Sequence, residues 1–175
     1  MAQWRQHVAP LKGPAARTMW GLLERVAELE RRAGALYERF GELFRQQPLV
    51  AAFWREFAAD ERMHALIVAA AREVFPASEP ALPGSWSVQL AEIATLLDAL
   101  EAKATAGLSL ADAFAFATEL EASELNTVTR LMIEHAGSGF SRLAPLLDLS
   151  GVDRHRDKVV EARRRFQIGE VPHAS

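Results

Sequence analysis

Several acids and histidines occupy positions that a helical period reserves for the core, and nothing else in this chain constrains its fold as strongly. Glu61 and His64 form a Glu-x-x-His pair in the progression Trp54, Phe57, Glu61, His64, Val68, spaced three or four throughout. Glu30 lies between Val26 and Ala33, with Tyr37 seven residues further on. Glu121 and Glu124 fall in the stripe Phe114, Ala117, Glu121, Glu124, Val128, Leu131, and His155 stands between Val152 and Val159. Residues three, four or seven apart stack on one face of an α-helix. These side chains therefore point the way the Leu, Val, Phe and Trp residues point. A buried carboxylate is costly unless something neutralises it.

Each position also has a plainer reading. A small rotation of the first helix would bring Glu30 to solvent beside Arg31 or Arg32, because helix faces are broad. His155 sits in the charged run Asp153-Arg-His-Arg-Asp157, where an exposed histidine is nearly as natural as a ligand. Glu121 with Glu124 would repel mildly on a solvated face and strongly when buried, and a cation between them reverses that sign. Asp60 and Glu119 are expected on solvated faces. Four carboxylates (Glu30, Glu61, Glu121, Glu124) with two imidazoles (His64, His155) balance two divalent cations. Oxygen and imidazole donors suit iron or manganese, and zinc also binds such sites.

Glycine and proline punctuate the chain sparsely, and the intervals between them read as long helices. Residues 1–14 are expected to be irregular, 15–166 to form one helical domain, and 167–175 to be a tail. Helices are expected over 15–46, from Pro48 to 74, over a shorter stretch 88–105 capped by Ser87, over 110–135, and over 140–166 with a kink at Ser150-Gly151. The Ser109-Leu-Ala-Asp112 segment is a capping-box start. No alternating strand pattern competes. The fold class is all-α. Two antiparallel pairs joined by one long crossover, with the short extra helix inside it, make a ferritin-like four-helix bundle.

Composition removes several function classes. With no cysteine there is no disulfide, thiol nucleophile or cysteine-based metal centre. A net charge of −3 and the lack of a compact basic motif argue against nucleic acid. No stretch is apolar enough for a membrane span and no signal peptide is visible, so a cytoplasmic location is expected. The aromatics Trp20, Trp54, Trp86, Phe53 and Phe116 exceed what one stripe per helix needs, which suggests a homodimer interface.

With these residues in order, the chain resembles the rubrerythrin-type diiron proteins of the ferritin-like superfamily over about residues 15–166. Glu30 with Tyr37 resembles the helix-1 ligand and its tyrosine. Phe57-Ala-Ala-Asp-Glu61-Arg-Met-His64-Ala resembles the helix-2 ligand segment, and Ala113 to Glu124 resembles the start of helix 3. Two positions depart from the pattern: Val152 stands where a helix-4 glutamate is usual, and Val128 where a tyrosine is. The resemblance implies a non-haem diiron carboxylate protein that reduces peroxide or handles dioxygen, and an external electron donor, because no cysteine relay is present. It implies Glu30, Glu61, His64, Glu121, Glu124 and His155 as metal ligands and Tyr37 as a catalytic tyrosine. The competing expectation is a ferritin-like binding or assembly module with a degenerate or single-metal site.

Overall fold

A computed structural model describes residues 19–71, 84–122 and 149–166, all of them helical apart from short turns and connections. Five helices follow in order: α1 (Met19–Leu43), α2 (Pro48–Ala71), α3 (Gly84–Ala106), α4 (Leu110–Glu121) and α5 (Leu149–Arg165). Among the described residues there is no strand, and no helix is long and apolar enough to cross a membrane.

α1 and α2 form an antiparallel hairpin around a four-residue link, with Pro48 at the first helical position of α2 as expected. Two glycines set how closely they pack. A Cβ on Gly34 would stand 3.3 Å from the carbonyl oxygen of Ala58 and 3.4 Å from Cβ of Glu61, and one on Gly41 would meet the Arg55 side chain at 3.2 Å. Gly34 and Gly41 are seven residues apart on α1, opposite Ala58 and Ala51 on α2. The absence of side chains there brings the two backbones together beside Glu61. Arg62–Glu38 and Arg55–Glu42 ion pairs edge the hairpin.

α3 lies along α1 and is held by Arg32, a buried guanidinium that grips Glu101 through Nε and Nη2, each at 3.0 Å, and Asp98 at 2.5 Å. Ser109 caps α4 through the expected capping box with Asp112. Phe114 of α4 packs on Trp54 and Phe53 of α2 and on Phe166, which directly follows α5. The common core includes Leu22, Leu29, Tyr37, Phe40, Trp54, Phe57, Leu97, Phe114 and Val159.

Some expected boundaries shift. The crossover helix is not short: α3 has 23 residues, starts directly after Pro83, and does not use Ser87 as its cap. Its Leu90, Ile93, Leu97, Leu100 and Ala104 stripe packs against α1 and so extends it to full length. α4 closes at Glu121 with Ala122 as its C-cap, short of the expected end, and residues 123–135 lie outside the described ones. α5 runs helically through Ser150-Gly151, where a kink was expected, and the stretch 140–148 also lies outside. Of the aromatics expected at an interface, Trp54 is fully buried, while Trp20, Phe53 and Phe116 are partly buried and pack against the same cluster. The side chain of Trp86 is not among those described.

Candidate metal centre

Glu61 is the hub. Its carboxylate is carried by α2 at the level where Gly34 lets α1 approach, and the residue is 4% exposed. Oε2 lies 3.1 Å from Nδ1 of His64, one turn along the same helix, and Oε1 lies 3.1 Å from Nδ1 of His155 on α5. Each carboxylate oxygen thus faces a different imidazole, and the two rings lie 5.0 Å apart, tilted by 30°. His155 is buried and its ring rests on Phe57, so the charged run around it does not carry it to solvent. The other ring nitrogen of His155 is 3.3 Å from Oδ2 of Asp60, which also accepts a hydrogen bond from Lys158 Nζ at 2.8 Å.

Two further carboxylates close on this hub. Glu30 is buried on α1, with Oε2 4.0 Å from Nδ1 of His64. The alternative in which it reaches solvent is not adopted: Arg31 turns outward to Glu28, and Arg32 is committed to α3. Glu121, at the end of α4, has Oε2 3.7 Å from Nδ1 of His155, while its Oε1 accepts a hydrogen bond of 2.5 Å from the hydroxyl of Tyr37. Tyr37 is fully buried, stacked on Trp54 and edge-on to Phe40 and Phe57. The structure therefore brings together Glu30, Tyr37, Glu61, His64, Glu121 and His155. Glu124 and the side chain of Val152 lie outside the described residues, while Glu119 is exposed as expected.

Electrostatics follow from this crowding. Burial, reinforced by the negative charge of Glu61, pushes the Glu121 carboxyl up to about 7, against the pull of the Tyr37 hydroxyl and of His155. Glu30 is driven well above the usual carboxylate range by burial and then by Glu61 and Glu121. Burial would raise Glu61 too, but hydrogen bonds from His155 and His64 outweigh it and leave that group below its ordinary value. Burial would lower His155, yet its hydrogen bond to Glu61 outweighs that and raises it. Tyr37 is raised well above 10.0 by burial and by the neighbouring carboxylates.

This donor set fits a cation. Glu61, His64 and His155 each offer a ligand atom, all within 4.8 Å of one another. Two donors on one ion at about 2.1 Å each are at most about 4.2 Å apart, so small inward shifts close the group. Nδ1 of both histidines faces the carboxylates, which leaves the second nitrogen of His155 on the side of Asp60, 3.3 Å from its Oδ2. A carboxylate behind a ligating imidazole fixes its tautomer and orientation. Asp60, expected on a solvated face, is one-third exposed and stands between His155 and Lys158 at the edge of the centre. The signal that could have found it is the His155-Arg-Asp-Lys158 spacing, which puts an imidazole and an ammonium on one face of α5. Comparisons with models of protein families, with curated proteins and with solved structures returned no match for this chain.

Proposed function

We propose that this chain is a ferritin-like bundle protein that binds iron at the Glu61 centre and reduces peroxide in the manner of rubrerythrin-type proteins. One observation carries the reading: a buried carboxylate whose two oxygens each lie 3.1 Å from a different imidazole, with two more buried carboxylates beside it. Mixed oxygen and imidazole donors suit iron and manganese, and accommodate zinc. Iron held there supplies the reversible electron exchange that reduction of a peroxide to water, by two electrons and two protons, requires.

The protein's own residues do the rest. Glu61 spans the two imidazoles, and Glu30 and Glu121 add negative charge that favours a cation once their protons leave. Glu121, poised near neutrality, holds or releases a proton at the edge of the centre. The Tyr37 hydroxyl keeps its proton and directs it at Oε1 of Glu121. Phe40, Trp54 and Phe57 surround Tyr37 and exclude water from that side. Electrons come from an external donor, since the chain has no cysteine with which to build a second centre. A second ion would call for a further oxygen donor, the role the resemblance gives to Glu124.

A second reading, an assembly module with a single-metal site, has one observation in its favour: the Glu61–His64–His155 group is by itself sufficient for one ion. Elemental analysis after anaerobic ferrous loading separates the two. Two irons per chain, lost in Glu61→Ala, with peroxide consumption that depends on added reductant, support the first reading. One ion without turnover supports the second, and no bound metal sinks both.

A further inference from the structure

The ring of Phe57 serves two places at once. It carries His155, with ring centroids 4.9 Å apart, and it lines a groove of about 340 Å³ between α2 and α5. Phe53 and Phe166 continue that lining: Phe53 lies 5.1 Å from Phe57 and 6.2 Å from Phe166, centroid to centroid. Both are only partly buried, and Leu49, which also lines the groove, is 67% exposed. Small-molecule sites occupy roughly 300–1,000 Å³, so the groove stands at the small end of that range.

Its rim is charged and balanced. Glu56 of α2 and Glu161 of α5 stand against Lys158 and Arg165 of α5. Lys158 is held by Asp60 at 2.8 Å, and its ion pair with Glu56 is long, 3.9 Å. The Arg165 guanidinium lies 5.9 Å from the ring of Phe166. A ligand of either sign meets as much repulsion as attraction here. An uncharged one with O–H groups on its edge meets two carboxylate acceptors and an aromatic floor. Lys158 and Arg165 are seven residues apart, about 10 Å of helix, which suits a flat molecule of two fused rings.

We propose that this groove binds the electron donor of the centre, and that the donor is a small uncharged hydroquinone. Its rings lie on Phe53 and Phe166, and its hydroxyls donate to Glu56 and Glu161. This rests on the functional reading above, which calls for two electrons and two protons per peroxide. A hydroquinone carries both. Its two O–H bonds break, two electrons leave the ring, and it departs as a quinone. The peroxide O–O bond takes the two electrons and breaks, and the two protons complete two waters. Glu56 and Glu161 receive the protons at the rim. Phe57 stands between the donor and His155, so electrons reach the centre while the donor stays outside it.

Menadiol, a naphthalene hydroquinone, is the probe, and the cysteine-free chain cannot trap its quinone as a thiol adduct. Anaerobic calorimetric titration of the metal-free full chain should show one molecule bound per chain. Ala52→Trp sets an indole into the groove from an exposed position and should weaken binding by about tenfold or more. Glu161→Gln keeps the shape but loses the charge of the acceptor, and should weaken it by about fivefold. Circular dichroism should show the helix content of both variants unchanged. With iron loaded, wild type should form one quinone per peroxide consumed, at a rate that saturates where binding saturates. Absence of binding, either folded variant binding as tightly as wild type, or a rate that never saturates overturns the proposal. Peroxide consumption driven by dithionite then shows whether the metal reading survives it. Binding with no peroxide consumed under either reductant overturns both.

Discussion

Removing metal should make this protein more stable in mild acid than in mild base, the reverse of a bundle held by salt bridges. Glu121 rises from 4.5 in the unfolded chain to about 7 in the fold. A group raised by folding favours the folded state fully below its unfolded value, and that advantage disappears as pH climbs through the folded value. At about 1.36 kcal/mol per pH unit, the difference is about 3 kcal/mol between pH 4.5 and pH 8. Total stabilities of domains are about 5–15 kcal/mol, so this is a large fraction. Glu30 and His155 are raised as well and act in the same direction, His155 above pH 6.5. Glu61 is lowered, so its contribution is lost only as pH falls below 4.5, outside the window. Urea denaturation of the metal-free chain at pH 5 and pH 8, followed by circular dichroism, reads this directly. Wild type should lose about 3 kcal/mol or more on going to pH 8, and Glu121→Gln, which removes the ionisation and keeps the shape, should lose about 3 kcal/mol less. Saturating metal at pH 8 should restore stability, by about 2.7 kcal/mol at a hundred times the dissociation constant. A metal-free protein equally stable at both values, or a Glu121→Gln slope identical to wild type, refutes the reasoning.

Tyr37→Phe removes the hydroxyl that donates to Glu121; a loss of about 1–2 kcal/mol is expected in urea melts, together with a further rise of the Glu121 midpoint in carboxyl-resolved NMR titration. Arg32→Met leaves Glu101 and Asp98 without their shared guanidinium, and should cost about 1–3 kcal/mol, with Arg32→Lys recovering little because the two-pronged grip on Glu101 is lost. Gly34→Leu forces a side chain against the Ala58 carbonyl and Glu61. It should cost about 1–3 kcal/mol and weaken metal uptake in equilibrium dialysis, whereas Gly41→Ala, away from the centre, should leave uptake unchanged.

Glu30, Glu61 and Glu121 were legible because a 3.6-residue period leaves a polar residue in an apolar stripe conspicuous, and the core side of the stripe was fixed by Trp54, Phe57 and Phe114. Arg32 was not, because its value lies entirely in α3, sixty-six residues away at Asp98. Nothing local distinguishes it from Arg31, which faces solvent one position earlier. Asp60 escaped for the same reason: its partners belong to α5. The full length of α3 is not legible locally: Ser87 is a good capping residue, but tertiary packing carries helices past such weak local signals. Gly34 and Gly41 carried a usable clue in their seven-residue spacing opposite Ala58 and Ala51, since small residues in register on two helices permit close backbones.

The split of the centre between an early hairpin and late helices has a consequence for biosynthesis. Glu30, Tyr37, Glu61 and His64 all emerge with the first 71 residues, together with most of the aromatic wall. His155 follows 84 residues later, about 4–17 seconds at ordinary elongation rates. Until then the nascent hairpin has an acidic pocket without the imidazole that completes the three-donor group. On the proposed reading, a cation would be captured only after α5 has been made, and would fasten helices already packed instead of nucleating the first hairpin.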